Sequence, residues 1–237
     1  MLFRMTNDST WARYEKLAPI YDRRIRAVVP GYDLMLSSLA AYMSASIAAT
    51  ARILVVGAGT GNELLLLAQA ESVWTVVGVE PSLAMTHIAR GKIACSRALN
   101  TTLVHASIFD IDWDDHFDAC CISLVMQLFD NLGKLLLLRH LYGLLPVGAP
   151  LFLFDTCNLD SEEQFNLDLR AMARHNSRHG LSERDAIDNA ATLAERFHLI
   201  SPQVIRKLLG EAGFDNVQQI FQSFVTYGWI CYKEQER

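Results

Sequence analysis

Three glycines spaced two residues apart, Gly57, Gly59 and Gly61, follow an apolar run in this sequence. Glycine lets a backbone turn sharply and lie close to a ligand. A second apolar run begins at Val76 and ends in an acid, Glu80. A carboxylate after the second strand of a parallel sheet can accept hydrogen bonds from the hydroxyls of a ribose. These residues therefore predict a nucleoside pocket at the carboxyl edge of a parallel sheet.

The glycine spacing separates this loop from other nucleotide-binding turns. Dinucleotide sites carry G-x-G-x-x-G, whereas the spacing here is G-x-G-x-G and the next residue is Asn62. A phosphate-binding P-loop is excluded, because no Lys followed by Ser or Thr comes after the glycines. A tight turn with a purely structural role stays open as an alternative.

Length and composition indicate a globular α/β protein. The chain has 237 residues, of which 51% are hydrophobic and 20% charged, and this is enough for a full core in one domain. The formal net charge of −5 disfavours a nucleic-acid partner, since surfaces that bind nucleic acid are usually basic. The five cysteines form no CxxC pair, so neither a disulfide framework nor a metal site is predicted.

Two further observations bear on location. The segment up to Tyr14 contains no uninterrupted apolar stretch of the kind found in secretory signals. No apolar run reaches the roughly 18 residues that a membrane-spanning helix needs. We therefore expect a cytoplasmic protein without a membrane segment.

From residue 51 onward, short apolar runs alternate with helical patterns. Such an alternation predicts a parallel sheet covered on both faces. The predicted strands are 53–56, 74–79, 103–106, 119–124, 151–154, 216–221 and 224–231. The predicted helices are 62–69, 83–97, 132–145, 162–178, 182–197 and 201–209. The short connection between the last two strands implies that they are antiparallel.

The expected architecture is a Rossmann-like, doubly wound α/β fold. Its seven-stranded sheet is mostly parallel with an antiparallel last strand, and the whole chain, 1–237, forms one domain. N-terminal helices occupy 1–50, the nucleotide-binding core 51–158, an inserted helical cap 159–213 and the closing strands 214–237. The cap is expected near the carboxyl edge of the sheet, above the nucleotide crevice.

Five segments together resemble the class I S-adenosylmethionine-dependent methyltransferases. They are 54–63 (LVVGAGTGNE), 79–82 (VEPS), 105–110 (HASIFD), 117–119 (FDA) and 144–148 (LLPVG). The set is more specific than any one motif, and the reversed final strand pair also fits that family. The resemblance implies S-adenosylmethionine as the cofactor.

The same resemblance implies which residues hold the cofactor. They would surround its amino-acid part, ribose and adenine, with Glu80 accepting from the ribose hydroxyls. The implied residues are Gly57, Ala58, Gly59, Gly61, Glu80, Pro81, Ser82, Met85, Ser107, Ile108, Ser123 and Leu124. Many family members have Asp where Ser107 stands, and a hydroxyl accepts a hydrogen bond less strongly than a carboxylate. A lower cofactor affinity, or help from Asp110, is therefore expected.

A narrower resemblance concerns the carboxy-S-adenosylmethionine synthases of tRNA wobble-uridine modification. Segments 29–32 (VPGY), 126–129 (MQLF) and 221–224 (FQSF) are similar to segments of those enzymes. The synthases hold the extra carboxylate of their cofactor with an Arg, and Ala190 takes that position here. This departure favours ordinary S-adenosylmethionine.

Substrate contacts are expected from the N-terminal helices and from the loop after the fourth strand. Tyr14, Tyr21 and Tyr32 are candidates for walling the sulfonium or orienting a substrate. Gln127 is a candidate for a hydrogen bond to a substrate or to the carboxylate of the cofactor. Simple packing remains an alternative interpretation of each.

A cationic stripe marks the first helix of the predicted cap. Arg170, Arg174 and Arg178 are four residues apart and share one helix face, with His175 and His179 alongside. One interpretation is a cationic wall for an anionic substrate, with a histidine as base because its unperturbed pKa lies near neutrality. The other is a solvated face, since charged stripes are common on exposed helices.

The expected function is methyl transfer to a small molecule. An activated methyl donor needs alignment more than acid–base help, so no catalytic residue is assigned beyond the candidates Tyr21, His175 and His179. Two alternatives stay open: a tRNA-modifying relative of the carboxylated-cofactor synthases, and a cofactor-binding partner protein without catalysis. A homodimer formed through the N-terminal helices also stays open.

Overall fold

The computed structural model describes residues 8–96, 98–113 and 116–234. Its helices are α1 (Asp8–Leu17), α2 (Tyr21–Val28), α3 (Tyr32–Ser46), α4 (Asn62–Ala70), α5 (Leu83–Ser96), α6 (Asn131–Leu144), α7 (Glu162–Arg178), α8 (Glu183–Ala191), α9 (Leu193–Arg196) and α10 (Pro202–Ala212). Its strands are β1 (Arg52–Val56), β2 (Thr75–Glu80), β3 (Thr101–His105), β4 (Ala119–Ser123), β5 (Pro150–Thr156), β6 (Phe214–Ser223) and β7 (Thr226–Lys233). The expected helix end at Arg97 lies outside the described residues. Within the described ranges, no helix combines the length and apolar character needed to cross a bilayer.

The strands form one seven-stranded sheet in the order β3-β2-β1-β4-β5-β7-β6. Strands β1 to β5 are all parallel to one another, whereas β7 runs antiparallel to both β5 and β6. The order reverses between β1 and β4, which is where open α/β sheets place their ligands. The predicted Rossmann-like fold is confirmed.

Alternation along the strands divides the core between the two faces of the sheet. In β1, Leu54 and Val56 belong to one apolar cluster, and Ile53 and Val55 belong to the other. Successive side chains of a strand point to opposite faces, so a strand covered on both sides is apolar throughout. Helices α6 and α10 cover the first face, and α3 and α4 cover the second.

The predicted cap segment, 159–213, divides in the structure. Helices α7 and α8 pack on each other around a separate apolar cluster that includes Leu169, Met172 and Ala186. Helix α10 instead joins the main core through Ile205 and Leu209. We therefore use "the cap" for α7, α8 and α9 alone.

The single helix predicted over 182–197 is two helices, α8 and α9, that meet at Thr192. The Thr192 hydroxyl donates to the Asp188 carbonyl oxygen at 2.7 Å. A side-chain bond of this kind, back to the preceding turn, is associated with bending of helices. A periodic apolar pattern does not reveal this break.

Two carboxylates fix the N-terminal helices to the carboxyl edge of the sheet. Glu15 of α1 accepts from the Ser82 hydroxyl at 2.7 Å and from the Ala84 amide at 3.1 Å, at the start of α5. Asp22 of α2 accepts from the Thr60 hydroxyl at 2.5 Å and also pairs with Lys92. Helices α1 and α2 therefore lie over the loops that follow β1 and β2.

The contact between β5 and β7 gives a test of the packing. A Cβ at Gly228 would lie 2.4 Å from a ring carbon of Phe154 and 2.9 Å from Cβ of Phe221. We expect Gly228→Ala to lower the free energy of unfolding by about 1–3 kcal/mol, the usual cost of overpacking. Urea titration followed by circular dichroism measures this change.

Gly91 supplies the matched control, because it lies inside α5 and a Cβ there would meet nothing within 4 Å. Gly91→Ala should raise the free energy of unfolding by roughly 0.5–1 kcal/mol, since alanine is the better helix former. If Gly228→Ala and Gly91→Ala change the free energy of unfolding equally, the packing described for β5 and β7 is wrong.

Candidate active site

A cavity of about 390 Å³ opens at the carboxyl edge of the sheet, where β1, β2 and β4 end. We call it the cofactor cavity. It is lined by Tyr14, Tyr21, Val56, Gly57, Gly59, Val79, Glu80, Pro81, Met85, His105, Ala106, Ser107, Ile108, Phe109, Asp110, Ser123, Leu124, Val125, Leu128, Phe129 and Leu137. Nine of the twelve residues predicted to bind the cofactor are among them, and Ala58, Gly61 and Ser82 are not.

The loop after β1 needs glycine for different reasons at different positions. Gly57 has φ +68°, and a Cβ there would lie 2.5 Å from a methyl of Val125. Gly59 has φ +53°, but a Cβ there would meet only the carbonyl oxygen of Gly57, at 3.9 Å. Gly57 therefore allows β1 and the loop after β4 to approach each other, and Gly59 leaves open space at the cavity wall.

Glu80 joins the loop after β1 to the turn after β2. Its Oε2 accepts from the Gly59 amide at 2.8 Å, and its Oε1 accepts from the Ser82 amide at 2.8 Å. Each carboxylate oxygen can accept more than one hydrogen bond, so both retain capacity for a ligand. The carboxylate thus shapes the cavity and also offers acceptors along its wall.

Burial raises the pKa of Glu80 to about 7, although the two amide donors lower it and the nearby Glu15 carboxylate adds to the rise. The group therefore titrates near neutral pH. A ligand that donates hydrogen bonds to Glu80 stabilises the charged form and draws the pKa down.

The far end of the cofactor cavity lies between the turn after β2 and the turn after β3. Pro81 and Met85 line one side, and Ser107 and Ile108 line the other. The Ser107 hydroxyl accepts from the Phe109 amide at 3.4 Å, so it caps a short helical turn as well as facing the cavity. Asp110, which the sequence suggested as an aid to Ser107, lines the same cavity.

The near end lies at the carboxyl end of β4. The Ser123 hydroxyl is buried and makes no hydrogen bond to any residue that the structure describes. A buried polar group of this kind calls for a partner. The cavity therefore fits a ligand that carries hydroxyls toward Glu80 and a polar group toward Ser123, as S-adenosylmethionine does with its ribose and its amino-acid part.

A smaller cavity of about 90 Å³ adjoins the cofactor cavity. We call it the cap cavity, because residues of the cap close one side of it. It is lined by Arg13, Tyr14, Leu17, Tyr21, Arg24, Ile25, Val28, Val29, Leu124, Gln127, Thr156, Met172, Asn189, Leu193, Arg196, Phe197, Val225 and Thr226. Tyr14, Tyr21 and Leu124 border both cavities and therefore form the wall between them.

The two tyrosines of the shared wall stay protonated at neutral pH. Their ring centroids lie 6.4 Å apart. Burial raises the pKa of Tyr14 to about 12, and it raises the pKa of Tyr21 as well. Tyr21 is consequently available as a hydrogen-bond donor or an apolar wall and not as a phenolate base.

The other predicted substrate residues are divided by the fold. Gln127 lines the cap cavity, and its Nε2 donates to the Leu124 carbonyl oxygen at 3.2 Å. Tyr32 lines neither cavity, and its hydroxyl accepts from Asn62 at 3.2 Å within the packing of α3 on α4.

The cationic stripe on α7 does not reach either cavity. Arg170 and Arg174 are exposed, because α7 turns Leu169, Met172 and Ala173 inward instead. His175 stacks on His179 with ring centroids 4.0 Å apart, and neither ring lines a cavity. Burial, followed by the neighbouring His179, lowers the pKa of His175. This geometry agrees with the solvated-face interpretation.

Sequence reasoning missed two groups of residues. One is the apolar wall of the cofactor cavity after β4, made of Val125, Leu128 and Phe129. In a sequence, these residues cannot be distinguished from residues of the hydrophobic core. The other is the arginine set of the cap cavity, Arg13, Arg24 and Arg196. The sequence did contain a sign of the role of Arg24, because this charged residue lies within the apolar face of α2 at helical spacing.

Comparison with known proteins is consistent with this geometry. A family model described as "Methyltransferase domain" matches residues 26–219. The carboxy-S-adenosyl-L-methionine synthase of Campylobacter fetus subsp. fetus is 22% identical over 216 residues, which cover 90% of this chain and 91% of that protein. The enzyme of the same name from Yersinia enterocolitica is 23% identical and covers 95% of this chain and 86% of its own length.

Solved structures share the fold at low identity. The apo form of the S-adenosylmethionine-dependent methyltransferase SibL matches 95% of this chain with a TM-score of 0.67 and 18% identity. This chain spans 62% of the length of that protein. Magnesium protoporphyrin IX methyltransferase from Synechocystis PCC 6803, with S-adenosylhomocysteine (SAH) bound, matches 96% of this chain and all of its own, with a TM-score of 0.66 and 18% identity.

The family model covers far more than half of the chain, from the N-terminal helices to the penultimate strand. The antiparallel final strand pair, which the sequence resemblance implied, is present in the sheet. The chain therefore belongs to the S-adenosylmethionine-dependent methyltransferase family.

Proposed function

We propose that this protein transfers a methyl group from S-adenosylmethionine to a small molecule held beneath the cap. The observation that carries the proposal is the pair of adjoining cavities, which share the wall formed by Tyr14, Tyr21 and Leu124. A donor in one cavity and an acceptor in the other would meet at that wall. Sites built between domains or elements in this way are common for small ligands.

In this proposal the two ribose hydroxyls donate to the remaining lone pairs of Glu80. The adenine lies between Met85 and Ile108, and the amino-acid part reaches Ser123. Each placement is supported by the lining of the cavity and by the hydrogen-bonding capacity of the residue named. The sulfonium then lies near Leu124, on the side that faces the cap cavity.

A bound donor would supply an activated methyl group. A lone pair of the acceptor atom would form the new bond to the methyl carbon while the electrons of the carbon–sulfur bond go to sulfur. The protein contributes alignment and exclusion of water. Tyr14 and Tyr21 wall the reacting centre and can donate hydrogen bonds, because both remain protonated. A general base is required only if the acceptor atom arrives protonated.

The cysteines support an intracellular, reducing location as part of the proposal. All five are free, and Cys120, Cys121, Cys157 and Cys231 are buried in the core. Free buried thiols are typical of proteins that work in a reducing compartment such as the cytoplasm.

A second candidate function comes from the curated relatives, which are named carboxy-S-adenosyl-L-methionine synthases. The arginines line the same small cavity as the shared wall. They could therefore bind the added carboxylate of a carboxylated donor. Mass spectrometry of the ligand that copurifies with the protein separates the two candidates. We expect S-adenosylmethionine or SAH, and a donor carrying one added carboxylate would contradict the leading proposal.

Substitution of Glu80 tests the placement of the ribose. Glu80→Ala should weaken SAH binding by about 1.5–3 kcal/mol, the scale of hydrogen bonds to a charged group. Glu80→Gln keeps the shape and one acceptor oxygen, so its loss should be smaller. Isothermal titration calorimetry measures both.

Glu71→Gln, at the end of α4 and outside both cavities, is the matched control and should bind SAH like the parent protein. If Glu80→Ala binds SAH as tightly as the parent protein does, the proposed contact between Glu80 and the ribose is wrong.

The pKa of Glu80, about 7 in the free protein, predicts a pH dependence of binding. Ribose donors favour the carboxylate, so binding releases a proton, and affinity for SAH should rise as pH increases from 5.5 to about 7.5. The slope cannot exceed about tenfold per pH unit for one group. Calorimetry of Glu80→Gln in parallel should show a flatter profile, and a parent profile that is flat or falls with pH would contradict the prediction.

A further inference from the structure

Three guanidinium groups line the cap cavity, and they come from three different elements. Arg13 belongs to α1, Arg24 to α2 and Arg196 to α9. All three side chains are half-buried. Their meeting is a product of the tertiary fold, because α9 is more than 160 residues distant from α2 along the chain.

Neutral groups hold these arginines in place. Arg24 donates to the Asn189 side-chain oxygen at 2.7 Å, and Arg196 donates to the same oxygen at 3.1 Å. Arg196 also donates to the Asn189 backbone carbonyl at 2.5 Å. Arg13 and Arg196 both lie over the ring of Phe197, at 5.7 and 5.8 Å from its centroid. The guanidiniums are thus positioned without being neutralised.

The positive charge of the cap cavity is balanced by no direct ion pair in the part of the chain that the structure describes. None of the three arginines forms an ion pair with a carboxylate there. Burial lowers the pKa of Arg196, and Arg13 and Arg24 lower it further, while the opposing effects of Tyr14 and Glu195 are smaller. Gathering like charges at a half-buried site is unfavourable unless an anion joins them.

The other polar groups of the cap cavity indicate which further groups a ligand would carry and how it would be oriented. The side-chain oxygen of Gln127 is buried and accepts no hydrogen bond from any described residue, which suits a ligand that also carries a donor. Tyr14 and Tyr21 border the cavity on the side of the cofactor. A ligand with its anionic end at the arginines would therefore have its other end at the shared wall.

We propose that Arg13, Arg24 and Arg196 bind a carboxylate of the methyl acceptor, and that this carboxylate is a recognition group and not the methylated atom. A guanidinium fork matches a carboxylate with two parallel hydrogen bonds. Oxygens held in this way have their lone pairs engaged and are poor nucleophiles. The inference rests on the proposed function, because it assumes that the donor occupies the cofactor cavity.

The site differs from the one that the family resemblance suggested. Ala190, which takes the place of the synthases' arginine, is buried in the apolar cluster of the cap. The arginines that face a cavity are at other positions and on other helices, and the exposed stripe of Arg170 and Arg174 takes no part.

The test uses the full chain saturated with SAH and titrated by calorimetry with benzoate and its neutral counterpart benzamide. Benzoate should bind at least tenfold more tightly than benzamide. Arg24→Met and Arg196→Met keep a side chain of similar length without the charge, and each should weaken benzoate at least tenfold while changing SAH affinity less than twofold. Arg174→Met is the matched control and should leave both affinities unchanged.

The outcomes separate this inference from the proposed function. Failure of the parent protein to bind SAH would overturn the proposed function and this inference with it. Normal SAH binding, with benzoate and benzamide bound alike or with benzoate unaffected by Arg24→Met, would overturn this inference alone. A copurified carboxylated donor that disappears in Arg24→Met would assign the carboxylate to the cofactor and overturn the assignment to the acceptor.

A variant that fails to fold is recognised by its circular dichroism and by loss of SAH binding. Arg13→Met is then used in place of the misfolded variant. The Arg13 guanidinium lies over the ring of Phe197 and makes no hydrogen bond to a described residue, so its loss should disturb the fold least. The expected result is the same loss of benzoate binding, and full retention would overturn the inference.

Discussion

The active site depends on one carboxylate that accepts two backbone hydrogen bonds. Glu80 holds the amide of Gly59 from the loop after β1 and the amide of Ser82 from the turn after β2. The two segments are therefore fixed relative to each other before any ligand arrives. Burial makes this carboxylate costly to ionise, and the two amide donors offset only part of that cost, so its pKa lies near neutrality.

The N-terminal helices extend this arrangement over the cavities. Glu15 and Asp22 face the sheet edge and hold α1 and α2 against the turn after β2 and the loop after β1. Tyr14 and Arg24, on the same two helices, face the cavities. Helices α1 and α2 thus carry the carboxylates that attach them to the sheet edge and the tyrosines of the wall between the cavities. They also carry two of the three arginines of the cap cavity.

The sequence predicted the features that rest on local patterns. Apolar strands alternating with helices predicted the sheet, and the glycine spacing with Glu80 predicted a pocket at its carboxyl edge, where the structure has the cofactor cavity. It did not predict the cap cavity, because Arg24 and Arg196 are brought together only by the tertiary fold, through Asn189 of α8. Helical spacing in α7 correctly grouped Arg170 with Arg174 on one face, but periodicity does not tell which face meets a cavity.

The central claim is that Glu80 receives the ribose of a donor whose sulfur faces the wall shared with the cap cavity. A crystal structure of the protein with SAH tests it most directly. We predict both ribose hydroxyls within hydrogen-bonding distance of the Glu80 carboxylate and the sulfur beside Leu124, facing the arginines. An adenosine bound elsewhere, or a sulfur turned away from the cap cavity, would contradict the account.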